Sequence, residues 1–344
     1  MFRNRLYYRF KPLIPRQVRM AVRGQFARWK RRRVQDVWPI LPGSEKKPDS
    51  WRGWPDGKQF GVVLTHDVEG PEGLANCEAL AQIEKDLGFR SSFNFIPEGS
   101  YRVNGTLRGK LTNEGFEVGV HDLQHNGKLF QNRDDFRRKA ERINDYLRSW
   151  GAVGFRSGFM LHNLEWLHDL NVTYDASTFD TDPFEPQPDG RHTIFPFWVP
   201  RGRCEEANGQ QNGNRKSPWA TGYMELPYTL PQDSTLFLLL KEKDPSIWIR
   251  KFDWIAERGG MVLVNVHPDY MNLSDGSGSP GNYPVSFYID FLKHIRKHAS
   301  DRFWHGVPRE LARHCIGQNC RINGPGTLSS SVIPSSSDKV GLNQ

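Results

Sequence analysis

Between residues 60 and 270 the chain alternates brief apolar runs with longer amphipathic ones. Gly61–Thr65, Ser92–Ile96, Phe116–Val120, Val153–Phe155, Val172–Tyr174, Tyr223–Leu226 and Met261–Val266 are short, apolar and bounded by Gly, Pro or polar residues, which predicts buried parallel strands, the last of them final. Residues 72–87 carry Leu74, Leu80, Ile83 and Leu87 on one side, and residues 134–150 carry Phe136, Ile143, Tyr146, Leu147 and Trp150. Both predict amphipathic helices, as do 164–170 and 246–257. Strand then helix, repeated, predicts an α/β fold with a parallel sheet. Reactive side chains follow several strands at their C-terminal ends: Asp67, His121, Arg156, Asp175 and His267. A (β/α) barrel gathers its chemistry there. No Gly-x-Gly-x-x-Gly or P-loop pattern follows any strand, which argues against nucleotide binding.

The ends of the chain differ from this body. Residues 1–33 contain 12 Lys and Arg and no acid, so subtracting them from the 47 basic residues of the chain leaves 35 against 39 acidic ones. The formal charge of +8 therefore belongs to an arm, and no nucleic-acid partner is expected for the body. From Arg16 the arm has helical spacing, with Val18, Val22, Phe26 and Trp29 on one face and arginines on much of the rest. Such a basic amphipathic helix suits an anionic membrane surface, or packing onto the body or a partner through its apolar face. Residues 40–57 read as a linker and 324–344, rich in Ser, Gly and Pro, as a disordered tail. The expected division is a basic arm and linker over 1–50, a catalytic domain over 51–315 and a tail over 316–344. No apolar run approaches the roughly 20 residues of a membrane span, and no secretory signal opens the chain. Cys315 and Cys320 lack zinc-finger partners and read as free thiols.

Three pieces point to a metal. Asp67 and Glu69, two apart after the first strand, can face one side of an extended turn. His121 and His125, at i and i+4, would share one face of a helical turn. One of the carboxylates would complete a two-His, one-acid set with an open position for water. Arg156 beside a carboxylate would hold it ionised. Asp175 offers another anion, and His267, after an apolar strand, could serve as a general acid. Phe179–Gly190 and Arg201–Trp219 are polar insertions near the predicted mouth, whose aromatics Phe184, Phe195, Phe197, Trp198 and Trp219 suit either sugar stacking or the core.

Taken in order, these motifs resemble those of the polysaccharide deacetylases of carbohydrate esterase family 4, over roughly Phe60 to Trp304. The resemblance implies a distorted (β/α)7 TIM-like barrel, a divalent metal, most commonly zinc, and an acid-His-His ligand set. Thr65-His-Asp-Val-Glu69 matches the family's Thr-Phe-Asp-Asp motif, with Asp67 as catalytic base. The second acid of that motif falls on Val68, so the resemblance implies Glu69 as the ligand by an Asp-x-Asp register, or Asp67 in its place. His121 and His125 match the two histidine ligands, Arg156-Ser-Gly158 an Arg-x-Pro motif without its Pro, Asp175-Ala-Ser177 a groove-lining Asp-x-Ser motif, and Leu263–His267 the motif of the acid. The implied activity is hydrolysis of an N-acetyl group on a sugar of an envelope glycan or its precursor. The lack of a signal or span and the unpaired cysteines lead us to expect a cytoplasmic location, with the arm peripheral at the inner membrane face. An inactive glycan-binding barrel and an amidase on a non-sugar C–N bond are the competing expectations.

Overall fold

The computed structural model describes residues 16–49, 51–201, 221–273, 281–299 and 301–322. Strand β1 (Phe60–Val68) is buried along its whole length, because its apolar residues face both the barrel interior and the surrounding helices. It pairs in parallel with β8 (Met261–Val266) on one edge. On the other edge its C-terminal half pairs with β2 (Ser91–Phe95) and its N-terminal half with β11 (Phe303–His305). From β2 the parallel order continues through β3 (Glu117–His121), β4 (Gly154–Arg156), β5 (Tyr174–Asp175) and β7 (Gly222–Glu225), with β6 (Phe197–Pro200) antiparallel at the end. The sheet curls until the segment after β7 meets β8: the Thr229 and Leu230 amides both donate to the Leu263 carbonyl, at 3.0 and 3.2 Å. The result is the expected distorted (β/α) barrel: among the described residues seven parallel strands run in the order β8-β1-β2-β3-β4-β5-β7, β11 is an eighth beside the lower half of β1, and β9 (Met271–Asn272) pairs with β10 (Tyr283–Pro284) apart from this sheet.

Helices cover the outside: α1 (Arg16–Arg33), α2 (Pro71–Asp86), α3 (Gly105–Asn113), α4 (Arg133–Trp150), α5 (Ser246–Arg258), α6 (Ser286–Ala299) and α7 (Pro308–Ile322). The stripe of α4 is typical. Asn132 caps it by accepting from the Asp134 and Asp135 amides, Phe136, Ala140, Ile143 and Leu147 are buried, and Gly151 ends it at φ 63°. Each large apolar side chain in that stripe contributes roughly 1.5–3 kcal/mol by leaving water.

Several expectations are corrected. Met261–Val266 is not the last strand, since β11 follows and completes the lower edge of β1. Residues 164–170 form only a short 3-10 turn, Trp166–Asp169. The stretch 40–57 is not a loose linker: Ser44 and Trp54 are buried, and a Cβ on Gly61 would lie 2.2 Å from the Trp54 ring. The C-terminal helix α7 runs past residue 315 to Ile322. Phe195 is core, while residues 202–220 and the tail from 323 lie outside the described residues, with Trp219 and Cys204 among them. Cys315 is a buried free thiol.

The arm also differs from its expected packing. Gly24 and Ala27 face the body, and Ala27 is buried, whereas Phe26 and Trp29 are 57% and 48% exposed. Small residues permit the close approach: a Cβ on Gly24 would lie 3.3 Å from the Leu239 carbonyl, in the buried π-helical segment Ser234–Leu240. The side chains of Val18 and Val22 lie outside the description. No helix among the described residues is long and apolar enough to cross a membrane.

Candidate metal centre and active site

Period-two alternation decides what β1 delivers to the barrel mouth. His66 and Val68 point to the helix layer; His66 meets Glu84 of α2 at 2.8 Å, and Val68 is fully buried. Asp67 and Glu69 point the other way, into a cleft of about 210 Å³ that Asp67, Glu69, His121, His125 and His267 all line. Val68 thus occupies the helix-facing position between the two acids, which is why the neighbouring carboxylate comes two residues, not one, after Asp67.

Glu69, His121 and His125 each offer a ligand atom, and these atoms lie within 4.8 Å of one another. His121 ends β3, and its Nδ1–H donates to the Arg156 carbonyl at 3.1 Å. That bond fixes the tautomer and leaves Nε2 as a lone pair; Nε2 is buried and has no hydrogen-bond partner. Burial holds the His121 ring below its ordinary pKa, in the neutral form a ligand requires. His125 is not on a helical turn with His121, as its spacing suggested. The chain leaves β3 through left-handed backbone at Asp122 (φ 55°) and His125 (φ 48°), and this loop brings the two rings to 4.9 Å. Phe159 stacks on His125 at 4.4 Å. Gly158 makes room: a Cβ there would lie 2.6 Å from Asp122 Oδ2 and 2.7 Å from His125 Cδ2. The His125 Nε2 stands 3.1 Å from Glu69 Oε1, and the Tyr270 hydroxyl donates to Glu69 Oε2. Burial alone would raise the Glu69 pKa, but the His125 hydrogen bond and the His267 charge hold it well below the usual range. Two imidazoles, one of them with an orphaned buried nitrogen, and one carboxylate form a donor set that fits a zinc-type divalent ion.

Asp67 lies deeper. Asn94, its register partner on β2, donates to Oδ1 at 3.0 Å, and Asn265 on β8 donates to Oδ2 at 2.8 Å. Arg156, fully buried at the end of β4, sits 3.7 Å from Oδ1. Burial would raise the Asp67 pKa; interaction with the neighbouring His121, the positive charges of Arg156 and His267, and the Asn94 hydrogen bond outweigh it and hold the carboxyl at about 2. His267 follows β8. Its Nδ1 stands 2.6 Å from Asp233 Oδ1, its backbone amide donates to Asp233 Oδ2 at 2.8 Å, and its Nε2 lies 3.8 Å from Glu69 Oε1. Burial opposes the charged ring, but the carboxylates of Asp233, Glu69 and Asp67 raise its pKa to about 10, so it is a cation at neutral pH.

Asp175 and Ser177, expected to line the groove, are fully buried and are not part of the cleft lining. The Ser177 hydroxyl donates to Asp175 Oδ1 at 2.8 Å and accepts from the amide of Ser157, which does line the cleft. The pair therefore braces the cleft floor from beneath. Asp175 lies beside Glu225, whose Thr178 contacts and burial keep it equally enclosed. Of the insertion aromatics, Phe184 lines the cleft. Sequence reasoning missed Asn94, Asn265, Asp233 and Tyr270. Asn94 and Asn265 carried a signal, a lone amide alternating with apolar residues in a buried strand.

No protein-family profile matches the chain, and no curated protein is detectably similar to it in sequence. Among solved structures it is similar to a Mycobacterium smegmatis protein assigned as a polysaccharide deacetylase, with a TM-score of 0.55 and 17% identity over 83% of this chain and 99% of that one. It is also similar to the peptidoglycan deacetylase PdaC of Bacillus subtilis, with a TM-score of 0.42 and 12% identity over 77% and 95% of the two chains. A family 4 carbohydrate esterase from Streptomyces lividans, solved in complex with acetate, gives 0.39 and 10% over 72% and 93%. The fold is that of the polysaccharide deacetylases.

Proposed function

Starting from that fold, we propose that the chain is a metal-dependent carbohydrate N-deacetylase, acting on an N-acetylated sugar of an envelope glycan or its precursor. The observation that carries this reading is the buried, unpartnered Nε2 of His121 beside the donors of Glu69 and His125. A divalent ion held by these three residues, zinc by the donor set, would polarise the amide carbonyl and acidify a water.

The remaining chemistry belongs to the chain's own groups. Asp67, ionised and fixed by two amide donors, accepts a proton from the attacking water. Arg156 lies against it and keeps it a carboxylate. The water oxygen bonds to the acetyl carbon, the C–N bond breaks, and the His267 Nε2–H protonates the departing amine. Asp233 on the opposite ring nitrogen holds His267 oriented and cationic for that step. The products are acetate and a free amino sugar. The exposed aromatic and basic face of α1, with Phe26, Trp29, Arg28, Arg32 and Arg33, suits peripheral attachment to an anionic membrane at its cytoplasmic side.

Elemental analysis of the purified full chain, paired with acetate release from N-acetylated sugars before and after chelation, tests the reading. It expects near-stoichiometric divalent metal, loss of acetate release with chelator and return with zinc. Full turnover by His121→Ala would refute it.

A further inference from the structure

One wall of the catalytic cleft comes from outside the barrel. Arg23 of α1 lines the cleft, alongside Leu238 and Leu239 of the π-helical segment and Phe184, Glu185 and Pro186. The residues around Arg23 anchor α1 in place. Gly24 backs onto the Leu239 carbonyl, Ala27 is buried, the Lys30 amine donates to the Pro183 carbonyl, and Arg31 pairs with Glu242. Further along, the Thr181 hydroxyl donates to the Val37 carbonyl at 2.9 Å, and Trp38 packs edge-on against Phe184 at 5.1 Å. Arg23 is different: its side chain is exposed to the cleft and has no hydrogen bond or ion pair among the described residues.

The acid that feels its charge, Glu185, is already engaged by other donors. Glu185 Oε1 accepts from the Gln232 side-chain amide at 2.6 Å and from the Tyr228 hydroxyl at 3.4 Å. Burial and the neighbouring Asp182 push the Glu185 carboxyl above its ordinary range against the opposing charges of His267 and Arg23, which leaves it a weak counter-ion. An arginine anchored by its own helix, lining the cleft and making no hydrogen bond or ion pair among the described residues, is a ready fork for two oxygens of one anion. The acetamide chemistry lies elsewhere on the same cleft, at Glu69, His121, His125 and His267.

We propose that Arg23 is a specificity residue that binds an oxyanion, phosphate or carboxylate, carried by the substrate beside its N-acetyl group. The proposal rests on the deacetylase reading for its second half only. It makes the basic arm part of the substrate site, so that the chain selects charged sugars over neutral ones.

Calorimetric binding to the full chain tests it, with three probes: N-acetylglucosamine, its anomeric phosphate ester, and N-acetylmuramic acid, which carries a carboxylate. At least one anionic sugar is expected to bind about tenfold tighter than the neutral one, as a charge-assisted pair provides. That preference should collapse in Arg23→Gln and be partly retained in Arg23→Lys. Whichever anionic sugar gains identifies the oxyanion. Equal affinity for all three probes in the native chain, or an undiminished preference in Arg23→Gln, overturns the proposal. Acetate release, measured separately on the zinc-supplemented protein, keeps the two readings apart. An Arg23-dependent preference without acetate release removes the deacetylase alone, and acetate release without that preference removes the role of Arg23 alone.

Discussion

Asp233 and His267 lie 34 residues apart in the chain and 2.6 Å apart in space, joined from Oδ1 to Nδ1 at the base of the cleft. Asp233 takes three further donors: the His267 amide and the Tyr283 hydroxyl on Oδ2, and the Ser234 amide on Oδ1. The carboxylate is therefore fixed before substrate arrives, and it fixes in turn which nitrogen of His267 faces the cleft. Asp233→Asn keeps the shape and removes the charge. We expect kcat to fall by about 10–100-fold with metal content unchanged, measured by steady-state acetate release and elemental analysis. Equal kcat in the variant would show that Asp233 only packs.

Gly158 stands where the motif resemblance expects a Pro, and its surroundings explain the exchange. A Cβ would come within 2.6 Å of Asp122 Oδ2 and 2.7 Å of the His125 ring, so at least one of these side chains would have to shift. Gly158→Ala is expected to displace His125 and weaken zinc affinity by about 10–100-fold. Competition with a chromogenic chelator measures it. Thermal stability checked in parallel should change little, because the intrusion is confined to the loop.

The barrel and most of the centre were legible in the sequence because both follow from short-range regularities. Apolar runs marked β1, β3 and β8, and period-two alternation placed Asp67 and Glu69 on one side of the chain. What was illegible depends on non-periodic backbone or on distance. His121 and His125 looked helical, but a loop with two left-handed residues brings them together. Asp233 precedes a π-helical turn that no hydrophobic period announces. Strand β11 is three residues long and is defined only by pairing with Phe60–Val62. Asp175 and Ser177 had the right motif at the right strand end, yet two-residue β5 ends below the mouth, so their side chains meet each other instead of the cleft.

Lys251 and Asp180 form an enclosed ion pair, with Nζ–O distances of 2.8 and 3.0 Å and each side chain about 1% exposed. Burial works against both charges: it lowers the Lys251 pKa and raises that of Asp180 to about 6. Lys251→Met leaves a carboxyl without its partner in the core and is expected to cost about 3–5 kcal/mol in urea unfolding. Adding Asp180→Asn should recover part of the loss. A single-variant cost below 1 kcal/mol would mean that solvent reaches the pair.

His305 on β11 predicts how stability responds to acid. Its Nδ1–H donates to the Val62 carbonyl at 2.9 Å, and its Nε2 accepts from the Arg90 amide at 2.9 Å, so the neutral ring uses both nitrogens. A second proton would confront the Arg90 N–H. Burial is the largest cause lowering the pKa, to about 4, with Arg90 and Arg296 adding to it against the opposing Val62 hydrogen bond. The unfolded ring titrates near the ordinary imidazole value of 6.5. Between those two values the unfolded chain binds more protons than the folded one, so acid favours unfolding. The contribution of His305 is intact above about pH 6.5, declines as pH falls and is exhausted near pH 4, a loss of about 3 kcal/mol. His305→Gln does not titrate in this window, and its unfolding free energy should fall less steeply from pH 6.5 to 4 than that of the native chain. Parallel slopes for the two proteins in urea titrations at matched pH would show that His305 is protonated without strain and that acid acts on the barrel elsewhere.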